Sequence, residues 1–540
     1  MKRSKDISSI DVAKRSAITP NKCFFLPATD KNILLKSLKE HVYSGNTPKQ
    51  EAVLEKHVNT FLAMLHRSNY PNVESVDPSE ESQKEWRSVP PKMLRHIQDN
   101  FRTTTSKIHQ ESTSGSGQTT KLLVELQDGH MVESVIMRHD LTSTSKKEKG
   151  RITLCVSSQV GCRMGCTFCA TGTMGIIGDL LEGEILEQLV HANRVLRKGF
   201  FESLEGGGEL SLKEGKTEID RSGRERFVPE RILRQRLEQK IDRVRNIVFM
   251  GMGEPLNNYD NVSGAVRGMI TAGRFGLGQG HVTVSTVGVT PMIKKLTSEM
   301  PFVNLALSLH APNQEMRSKI VPAAKAYKIE GLIEALDCHI NYAVGGSDEK
   351  KEGGGKVSAK ERKQKERKAM IQYTMLNGDT STFQCAHQLG ALCRGKSIIV
   401  NLIPYNQTDV KDCFSAPSMD HIKKFQEIVM SYGLLVFIRK TMGEDIAGAC
   451  GQLVLQKQND GESNTNVDIE DVVGGDSGGA SPKKPRIVVR RKEERVVSES
   501  QNDGKEFLNG TFNSWLLVPA FGAAIGILLI GAGVTKKMKR

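Results

Sequence analysis

Three closely spaced cysteines constrain this sequence more than any other feature. Cys162, Cys166 and Cys169 form a C-x3-C-x2-C cluster inside Arg151–Gly178, and a glycine-rich run and a helical pattern follow them. Three thiolates this close in sequence can bind three irons of an iron–sulfur cube and leave the fourth iron open for another ligand. The spacing therefore predicts an iron–sulfur cluster with one free coordination position, in a reducing compartment.

Zinc binding and disulfide formation are the alternatives for these cysteines. Structural zinc takes four ligands, usually from paired C-x2-C units, and no second pair follows at a suitable distance. A disulfide scaffold is typical of small secreted domains, whereas this chain has 540 residues and only ten cysteines. Both alternatives stay open on spacing alone, but the cluster is the favoured interpretation.

Five further sequence blocks accompany the cysteines. In chain order they are CVSSQVGC from Cys155, FMGMGEPLN from Phe249, LALSLHAPN from Leu305, NLIPYN from Asn401 and GACGQL from Gly448. From about Leu122 to Leu455 the sequence resembles the adenine-C2 RNA methyltransferases of the radical S-adenosylmethionine superfamily. The resemblance implies an α/β fold with a partial (β/α)6 barrel, a [4Fe-4S] cluster and S-adenosylmethionine. It also implies rRNA or tRNA as partner and a flavodoxin- or ferredoxin-like electron donor, and we expect a monomer.

The resemblance assigns roles to individual residues. The implied metal ligands are Cys162, Cys166 and Cys169, and the implied cofactor-binding residues are Gly253, Glu254, Ser285, Ser308, Leu309, His310 and Asn406. The implied catalytic residues are Cys450, Cys155 and Glu133. Glycine lets the backbone approach a ligand, and a carboxylate such as that of Glu254 can accept the amino group of the cofactor. Taken alone, a strand glutamate or a single histidine is more often structural, so Glu133 and His310 depend on their motifs.

Adenine C2 is not a nucleophile, so direct methyl transfer from a sulfonium cannot proceed and a radical route is needed. In the route that the resemblance implies, Cys450 accepts a methyl group, and the carbon radical made from that group adds to C2. Cys155 then resolves the covalent RNA adduct and leaves a disulfide, with Glu133 or a thiolate as the base. The two cysteines must therefore lie close enough to form that bond, with Cα atoms within about 7 Å.

Apolar strands alternate with helical stretches around these motifs. Helices are predicted at Glu182–Arg197 and Ser418–Tyr432, and Lys121–Met137 predicts a β-hairpin that turns at Asp128-Gly129. Such alternation predicts parallel β/α units whose ligand site lies at the carboxyl ends of the strands. The predicted strands are Ile152–Val156, Ile247–Met250, Val282–Ser285, Val303–Ser308, Ile371–Met375, Ile398–Ile403 and Leu434–Ile438.

The rest of the chain is less regular. Residues 1–120 predict a small, mostly helical region, with one apolar face in Glu51–His66. The core is predicted over residues 121–455, interrupted by disordered inserts at 206–242 and 345–368, which have too few apolar residues to order. A polar, basic linker is predicted over 456–513. The formal net charge of +14 suits a polyanionic partner, although much of the excess lies in these inserts and the linker.

An apolar segment follows the linker. Trp515–Val534 contains 20 residues without a charge, and Lys536–Arg540 is almost wholly basic. At ~1.5 Å per residue such a helix spans roughly 30 Å, the thickness of a hydrocarbon core. With an interfacial Trp at one end and a basic cluster at the other, the pattern favours a transmembrane tail anchor over a buried core helix. We expect the enzyme to face the cytosol, with an organellar membrane as the alternative.

Three functional hypotheses follow. The favoured one is an RNA adenine-C2 methyltransferase. A sister activity at adenine C8 shares Cys155 and Cys450 and stays open. The third is a membrane-tethered RNA-binding scaffold whose cluster site no longer functions. An inactive protein would have no reason to keep all five cysteines of the motifs, which are Cys155, Cys162, Cys166, Cys169 and Cys450.

Overall fold

The computed structural model describes residues 24–25, 31–43, 47–67, 72–80, 86–139, 151–206, 216–219, 224–228, 242–345, 369–408, 410 and 414–453. The chain divides into two units, Met1–Asp460 and Gly461–Arg540, and all of these residues belong to the first. The predicted linker at 456–513 and the predicted anchor at 515–534 lie outside the described residues. Within the described ranges, no helix has both the length and the apolarity to cross a membrane.

In chain order the described strands are β1 (Phe24–Phe25), β2 (Phe101–Arg102), β3 (Lys107–Thr113), β4 (Thr119–Glu125), β5 (Met131–His139), β6 (Arg151–Cys155), β7 (Gln159–Cys162), β8 (Gly175–Asp179), β9 (Lys216–Ile219), β10 (Glu225–Val228), β11 (Asn246–Phe249), β12 (Val282–Thr286), β13 (Asn304–Ser308), β14 (Ala369–Met375), β15 (Ile398–Pro404) and β16 (Leu435–Ile438).

The described helices are α1 (Lys31–His41), α2 (Pro48–Arg67), α3 (Pro91–Asn100), α4 (Ala170–Thr173), α5 (Glu182–Gly206), α6 (Tyr259–Ile270), α7 (Thr290–Glu299), α8 (Gln314–Ile320), α9 (Ile329–Gly345), α10 (Phe383–Cys393) and α11 (Met419–Met430).

A ten-stranded mixed sheet organises the described part of the chain, in the order β16-β15-β14-β13-β12-β11-β6-β5-β4-β3. The strands from β6 to β16 in this order are parallel, and β3, β4 and β5 continue the sheet in antiparallel fashion. Six parallel strands, β6 and β11 to β15, are each followed by at least one helix before the next parallel strand. The predicted β/α alternation is confirmed, and β16 extends it by one strand.

The predicted elements appear near their expected positions because their signals are local. All seven predicted parallel strands are present, and the predicted hairpin is formed by β4 and β5, with Leu123 opposite Glu133. The helix predicted at Ser418–Tyr432 is α11, where the Ser418 side chain caps the first turn by accepting from the His421 amide. Gly433, at φ +81°, then takes the left-handed conformation that ends helices. The helix predicted at Glu182–Arg197 is α5, which runs on to Gly206.

The amino-terminal part has its own core. Leu54, Phe61 and Trp86 pack with Ile97, and Val190 of α5 joins them. Two features differ from the prediction. Strand β3, which lies within residues 1–120, belongs to the main sheet rather than to the helical region. In the first insert, β9 and β10 form a short antiparallel hairpin where only loop was predicted.

One face of the parallel strands surrounds a cavity, and the helices pack against the other face. Inward-facing side chains of successive strands line a single cavity of ≈ 480 Å³, among them Val135 on β5, Thr153 on β6 and Asn401 on β15. A flat sheet cannot bring both of its ends to one cavity, so the sheet is curved around it. Alternate residues of the same strands, such as Leu154, Val284 and Leu402, are fully buried in the main core.

Candidate active site

Two adjoining cavities lie inside the curve of the sheet. The larger, of ≈ 480 Å³, is called the sheet cavity here and is lined by Cys155 and Cys450. The smaller, of ≈ 130 Å³, is called the three-cysteine cavity and is lined by Cys162, Cys166 and Cys169. The residues that line both cavities are Met250, Gln372, Ile403, Asn406, Cys450 and Leu453. A chemical group carried on Cys450 can therefore face either cavity.

The three cysteines occupy a tightly folded loop. Cys162 ends β7, and the Cys169 amide donates a hydrogen bond of 3.2 Å to the Cys166 carbonyl just before α4. Gly172 must be glycine, because a Cβ there would lie 2.8 Å from the Cys166 carbonyl oxygen. The Ala170 amide donates to the Gly451 carbonyl at 2.9 Å, which ties this loop to the segment that carries Cys450.

The chemistry of these thiols suits ligands of a cationic group. Burial raises the pKa of Cys162 to about 12 and that of Cys166 well above its usual value, and it also raises the pKa of Cys169. Three buried thiolates without a cation would be unstable, whereas a bound metal group deprotonates its thiols. Within the described ranges, no three His, Cys, Asp or Glu side chains converge closely enough to hold one metal ion. A cube with one open iron takes three ligands from the protein whereas structural zinc takes four, so these three thiols fit an iron–sulfur cluster better than zinc.

Glu254 lies on the wall of the three-cysteine cavity in a fixed position. It follows β11, is 2% exposed, and its two carboxylate oxygens accept from the amides of Leu256 at 3.0 Å and Val287 at 2.8 Å. Burial raises the pKa of Glu254 to about 7, and these hydrogen bonds oppose the rise. Gly253, at φ +103°, leaves no room for a side chain, since a Cβ would lie 2.6 Å from the Gln159 Cβ. The carboxylate can accept an ammonium group at this position.

Polar side chains from the next strands complete this wall. The hydroxyls of Ser285 and Ser308 lie 3.3 Å apart, and the Ser285 hydroxyl donates to Gln372 Oε1 at 3.3 Å. His310 is at φ +60°, and its Nδ1 accepts from the Thr374 amide at 3.1 Å. Burial lowers the pKa of His310 to about 3. The ring is therefore neutral, with its proton on Nε2, and can donate a hydrogen bond to a ligand.

Leu309 differs from the other predicted cofactor-binding residues. Its side chain is fully buried in the main core and lines neither of the two cavities. Only its backbone is near the site, where the Leu309 amide donates to the Gln372 carbonyl and its carbonyl accepts from Arg317 Nε at 3.1 Å. The residue shapes the backbone between Ser308 and His310.

Cys155 and Cys450 lie near each other in the sheet cavity, and both are free thiols. Cys155 ends β6, and burial raises its pKa to about 12, with a further contribution from the charge of Cys450 and an opposing one from Arg439. Cys450 also adds to the raised pKa of Cys169, so it lies near the three cysteines too. The Asn406 side-chain amide donates to the Cys450 carbonyl at 2.9 Å and fixes the backbone there.

The segment that carries Cys450 joins the two ends of the sheet. It comprises Gly443–Leu453, follows β16, and is called the bridging segment here. The Gly115 amide, beside the β3–β4 turn, donates to Asp445 Oδ2 at 2.9 Å, and Gly443 packs so closely on Thr119 that a Cβ would lie 2.6 Å from its methyl carbon. Since β16 and β3 are the two ends of the sheet order, the segment crosses its open side.

Glu133 lies beneath the bridging segment. Its side chain is almost completely buried and pairs with Lys121 Nζ at 2.9 Å, and the same ammonium donates to the Ala447 carbonyl at 3.4 Å. Ala447 is one of two non-glycine residues described with positive φ, at +48°. Glu133 lies on the face of β5 that includes Val135, but it lines neither of the two cavities. The structure thus connects Glu133 to the bridging segment through Lys121.

Sequence reasoning did not identify Arg317. It lies in α8, is fully buried, and donates to the carbonyls of Leu309 and Ser308 at 3.1 and 3.3 Å and to that of Val287. Burial lowers its pKa to about 10, and the nearby Cys166 thiol opposes that change. An arginine within a short helix resembles a surface residue in sequence, so no pattern indicated that it supports the wall of the three-cysteine cavity.

Known proteins resemble this chain in sequence and in fold. Residues 156–345 match the radical SAM superfamily. The "Ribosomal RNA large subunit methyltransferase N" of Nitrosopumilus maritimus is 35% identical over 63% of this chain and 78% of that protein. The "Dual-specificity RNA methyltransferase RlmN 1" of Myxococcus xanthus is 33% identical over 67% of this chain and 81% of that protein. A radical SAM methyltransferase structure from Sphaerobacter thermophilus superposes with a TM-score of 0.59 at 27% identity, over 80% of this chain and 99% of that one.

Proposed function

The chain belongs to the dual-specificity RNA methyltransferase family of the radical SAM superfamily, and from this premise we propose that it methylates C2 of adenosine in large-subunit rRNA, in tRNA next to the anticodon, or in both. One observation carries the proposal for this chain. Cys450 lines the wall shared by the two cavities, with the three cysteines on one side and Cys155 on the other. A methyl carrier that must meet the cofactor first and the RNA base second needs this position.

The residues around the smaller cavity would hold the cofactors. Cys162, Cys166 and Cys169 would ligate the [4Fe-4S] cluster, and the Glu254 carboxylate would accept the amino group of S-adenosylmethionine. The paired hydroxyls of Ser285 and Ser308 and the Nε2–H of His310 offer further hydrogen bonds on the same wall. When bound and reduced, the cluster and S-adenosylmethionine supply a 5′-deoxyadenosyl radical that can abstract hydrogen from an unactivated carbon.

The residues of the sheet cavity would act on the RNA. Cys450 carries the methyl group as a thioether, loses one hydrogen from it and forms a bond from that carbon to adenine C2. The C2 proton is then lost and the sulfur–carbon bond of the radical adduct breaks; the Cys450 sulfur bonds to the Cys155 thiolate, the one surplus electron passes to an oxidised flavodoxin- or ferredoxin-like carrier, and the freed carbon takes up a proton to become the methyl group. Because Cys155 lines the cavity and Glu133 does not, we propose that the Cys155 thiolate accepts the C2 proton and returns it to the freed carbon before the S–S bond forms. Glu133 is then a positioning residue that acts on the bridging segment through Lys121.

The charge of the sheet cavity suits RNA. Among the described residues, five basic side chains contribute to its lining and no Asp or Glu does; the five are His139, Arg151, His281, Arg439 and Lys440. Phosphates bind such surfaces with release of counterions. Reduction of the cluster needs one electron from outside, and we propose a flavodoxin- or ferredoxin-like donor and a monomeric enzyme.

Product analysis tests this function and separates it from its alternatives. The protein is reconstituted anaerobically with iron and sulfide and incubated with rRNA or tRNA transcripts, S-adenosylmethionine and a reductant, and the nucleosides are then identified by mass spectrometry. We expect 2-methyladenosine. Formation of 8-methyladenosine alone would assign the sister activity at C8, and a reconstituted cluster that yields neither product would support an inactive RNA-binding scaffold.

We also propose that Trp515–Val534 anchors the enzyme in a membrane, with its catalytic part on the cytosolic side. The uncharged length of 20 residues, Trp515 and the basic Lys536–Arg540 support this proposal. An organellar membrane is the alternative location.

Deleting residues 515–540 is expected to release the protein from membranes and to leave methylation in vitro within about twofold, because the predicted linker separates this segment from the described fold. Carbonate-washed membrane fractions of cells that express each form provide the measurement. Deleting 536–540 alone serves as the control and should leave most of the protein in membranes. Full-length protein in the supernatant would contradict the anchor.

A further inference from the structure

The last strand of the sheet presents an apolar surface that the main core does not use. β16 lies at one end of the sheet order and pairs with β15 alone among the described strands. On this strand Leu435 is 46% exposed and Phe437 is 54% exposed, whereas Val436 between them is 5% exposed and packs in the core. Exposed apolar side chains on an edge strand favour association, and such patches often mark binding sites. We call Leu435 and Phe437 the apolar edge.

The strand register places this edge on the face that surrounds the reacting thiols. Phe437 lies beside Asn401 of β15, and Asn401 lines the sheet cavity. Paired residues of neighbouring strands point to the same face, so Phe437 and Leu435 continue the wall of that cavity outward. Arg439 comes two residues later, roughly 6.6 Å farther along an extended strand, and it lines the cavity itself.

Positive charge lies between the apolar edge and the thiols of Cys155 and Cys450. Arg439 and Lys440 line the sheet cavity, and no Asp or Glu of the described ranges does. The Arg439 guanidinium is close enough to Cys155 to lower the pKa of that thiol, against the larger rise caused by burial. A polymer that extends from Cys155 to Phe437 therefore passes a guanidinium and an ammonium, which are the groups that bind phosphates.

We propose that Phe437 stacks on the base of the nucleotide directly adjacent to the target adenosine, while Arg439 and Lys440 bind the phosphates of the same strand. An adenine must leave its own stack to reach thiols inside a cavity, and its neighbour is then left with an exposed face. Aromatic side chains bind such faces with little dependence on which base is present. The inference rests on the proposed function, since it takes the target adenosine to lie against Cys450 and Cys155.

A double-mutant cycle between the protein and the RNA tests the stacking contact. Fluorescence anisotropy under anaerobic conditions measures binding of reconstituted enzyme, without S-adenosylmethionine, to whichever RNA the wild type methylates, a tRNA anticodon stem–loop or a large-subunit rRNA fragment. Phe437→Ala is expected to weaken binding roughly 5- to 150-fold, and Phe437→Trp to restore it. Removing the base from one neighbour of the adenosine should weaken wild-type binding by a similar factor, with little further effect on Phe437→Ala.

Phe227→Ala is the matched control. Phe227 is 60% exposed on β10 and lines neither cavity, so its loss should leave the affinity for RNA unchanged. Unchanged affinity of Phe437→Ala would overturn the inference, and so would losses that multiply in full with Phe437→Ala at both neighbours, each tested with its own abasic site.

A second copy of this chain is the competing occupant of the apolar edge. In that case the wild type sediments as a dimer, Phe437→Ala sediments as a monomer, and RNA affinity does not change, which also overturns the inference. Failure of the proposed function is distinguishable, because the wild type then makes no 2-methyladenosine in either RNA and the inference falls with it. Product formation by the wild type with an unaltered Phe437→Ala affinity rejects the stacking contact alone.

Discussion

Replacing any one of Cys162, Cys166 and Cys169 with Ala is expected to abolish iron–sulfur absorbance and cleavage of S-adenosylmethionine to 5′-deoxyadenosine. Each thiol lines the small cavity, and each would supply one of three ligands that a cube needs from the protein. Among the described residues, Cys450 is the only other cysteine on the lining of that cavity, and its backbone is held by Asn406 at 2.9 Å. We therefore expect no replacement ligand and a loss of cleavage of at least about 1000-fold, equivalent to roughly 4 kcal/mol in the barrier.

Cys393→Ala provides a control of the same chemistry. Cys393 is fully buried in α10, burial raises its pKa to about 12 as it does for Cys162, and it lines neither cavity. Its replacement should cost some stability and leave iron and sulfide content unchanged. Iron, sulfide and visible absorbance after anaerobic reconstitution are the measurements. Normal iron content in any of the three variants, or an equal loss in Cys393→Ala, would contradict the assignment of the cluster ligands.

Local sequence signals predicted most of the fold. The parallel strands are apolar runs buried against the helices, so their positions follow from composition over a few residues. The β4–β5 hairpin follows from Asp128-Gly129, where Gly129 has φ +82°. The β9–β10 hairpin has only four residues per strand and no apolar alternation, so nothing local indicated it. The place of β3 depends on its pairing with β4 and was equally invisible to periodicity.

The candidate site was predicted as a set of residues but not as an arrangement. The family resemblance indicated Glu254, Ser285, Ser308 and His310, which lie at or just beyond the carboxyl ends of strands, where ligands bind. They could not indicate that the Leu309 side chain enters the core, since a β/α turn can place consecutive residues on different sides. Arg317 was missed because its burial depends on three carbonyls in two other turns.

The contacts of the bridging segment are the part of the site that could not be predicted from the sequence. Gly115 and Asp445 are separated by 330 positions, yet the amide of one donates to the carboxylate of the other at 2.9 Å. Lys121 similarly joins Glu133 to the Ala447 carbonyl. These contacts arise only when both ends of the curved sheet are in place. The proposed methyl carrier Cys450 is therefore positioned by the edges of the sheet as well as by its own motif.

The positions of Cys450 and Cys155 agree with the different steps proposed for the two thiols. Cys450 lines both cavities and is partly exposed, which suits a group that exchanges between cofactor and RNA. Cys155 lines only the sheet cavity, is 7% exposed, and burial raises its pKa to about 12. It is thus mostly a neutral thiol at neutral pH, and it becomes a nucleophile only after losing its proton within the site.

Removing each of the two thiols should therefore stop the reaction at a different step. Cys450→Ala is expected to abolish 2-methyladenosine and to form no covalent RNA adduct, because the methyl carrier is missing. Cys155→Ala keeps methyl loading and addition to C2 but cannot resolve the adduct, so protein should accumulate bound to RNA. A denaturing gel after anaerobic turnover detects the adduct as an RNase-sensitive shifted band. Cys385→Ala is the control, and it should turn over normally because Cys385, on α10, is buried in the main core. A shifted band with Cys450→Ala, or full turnover by Cys155→Ala, would show that these roles are wrong even with the cluster intact.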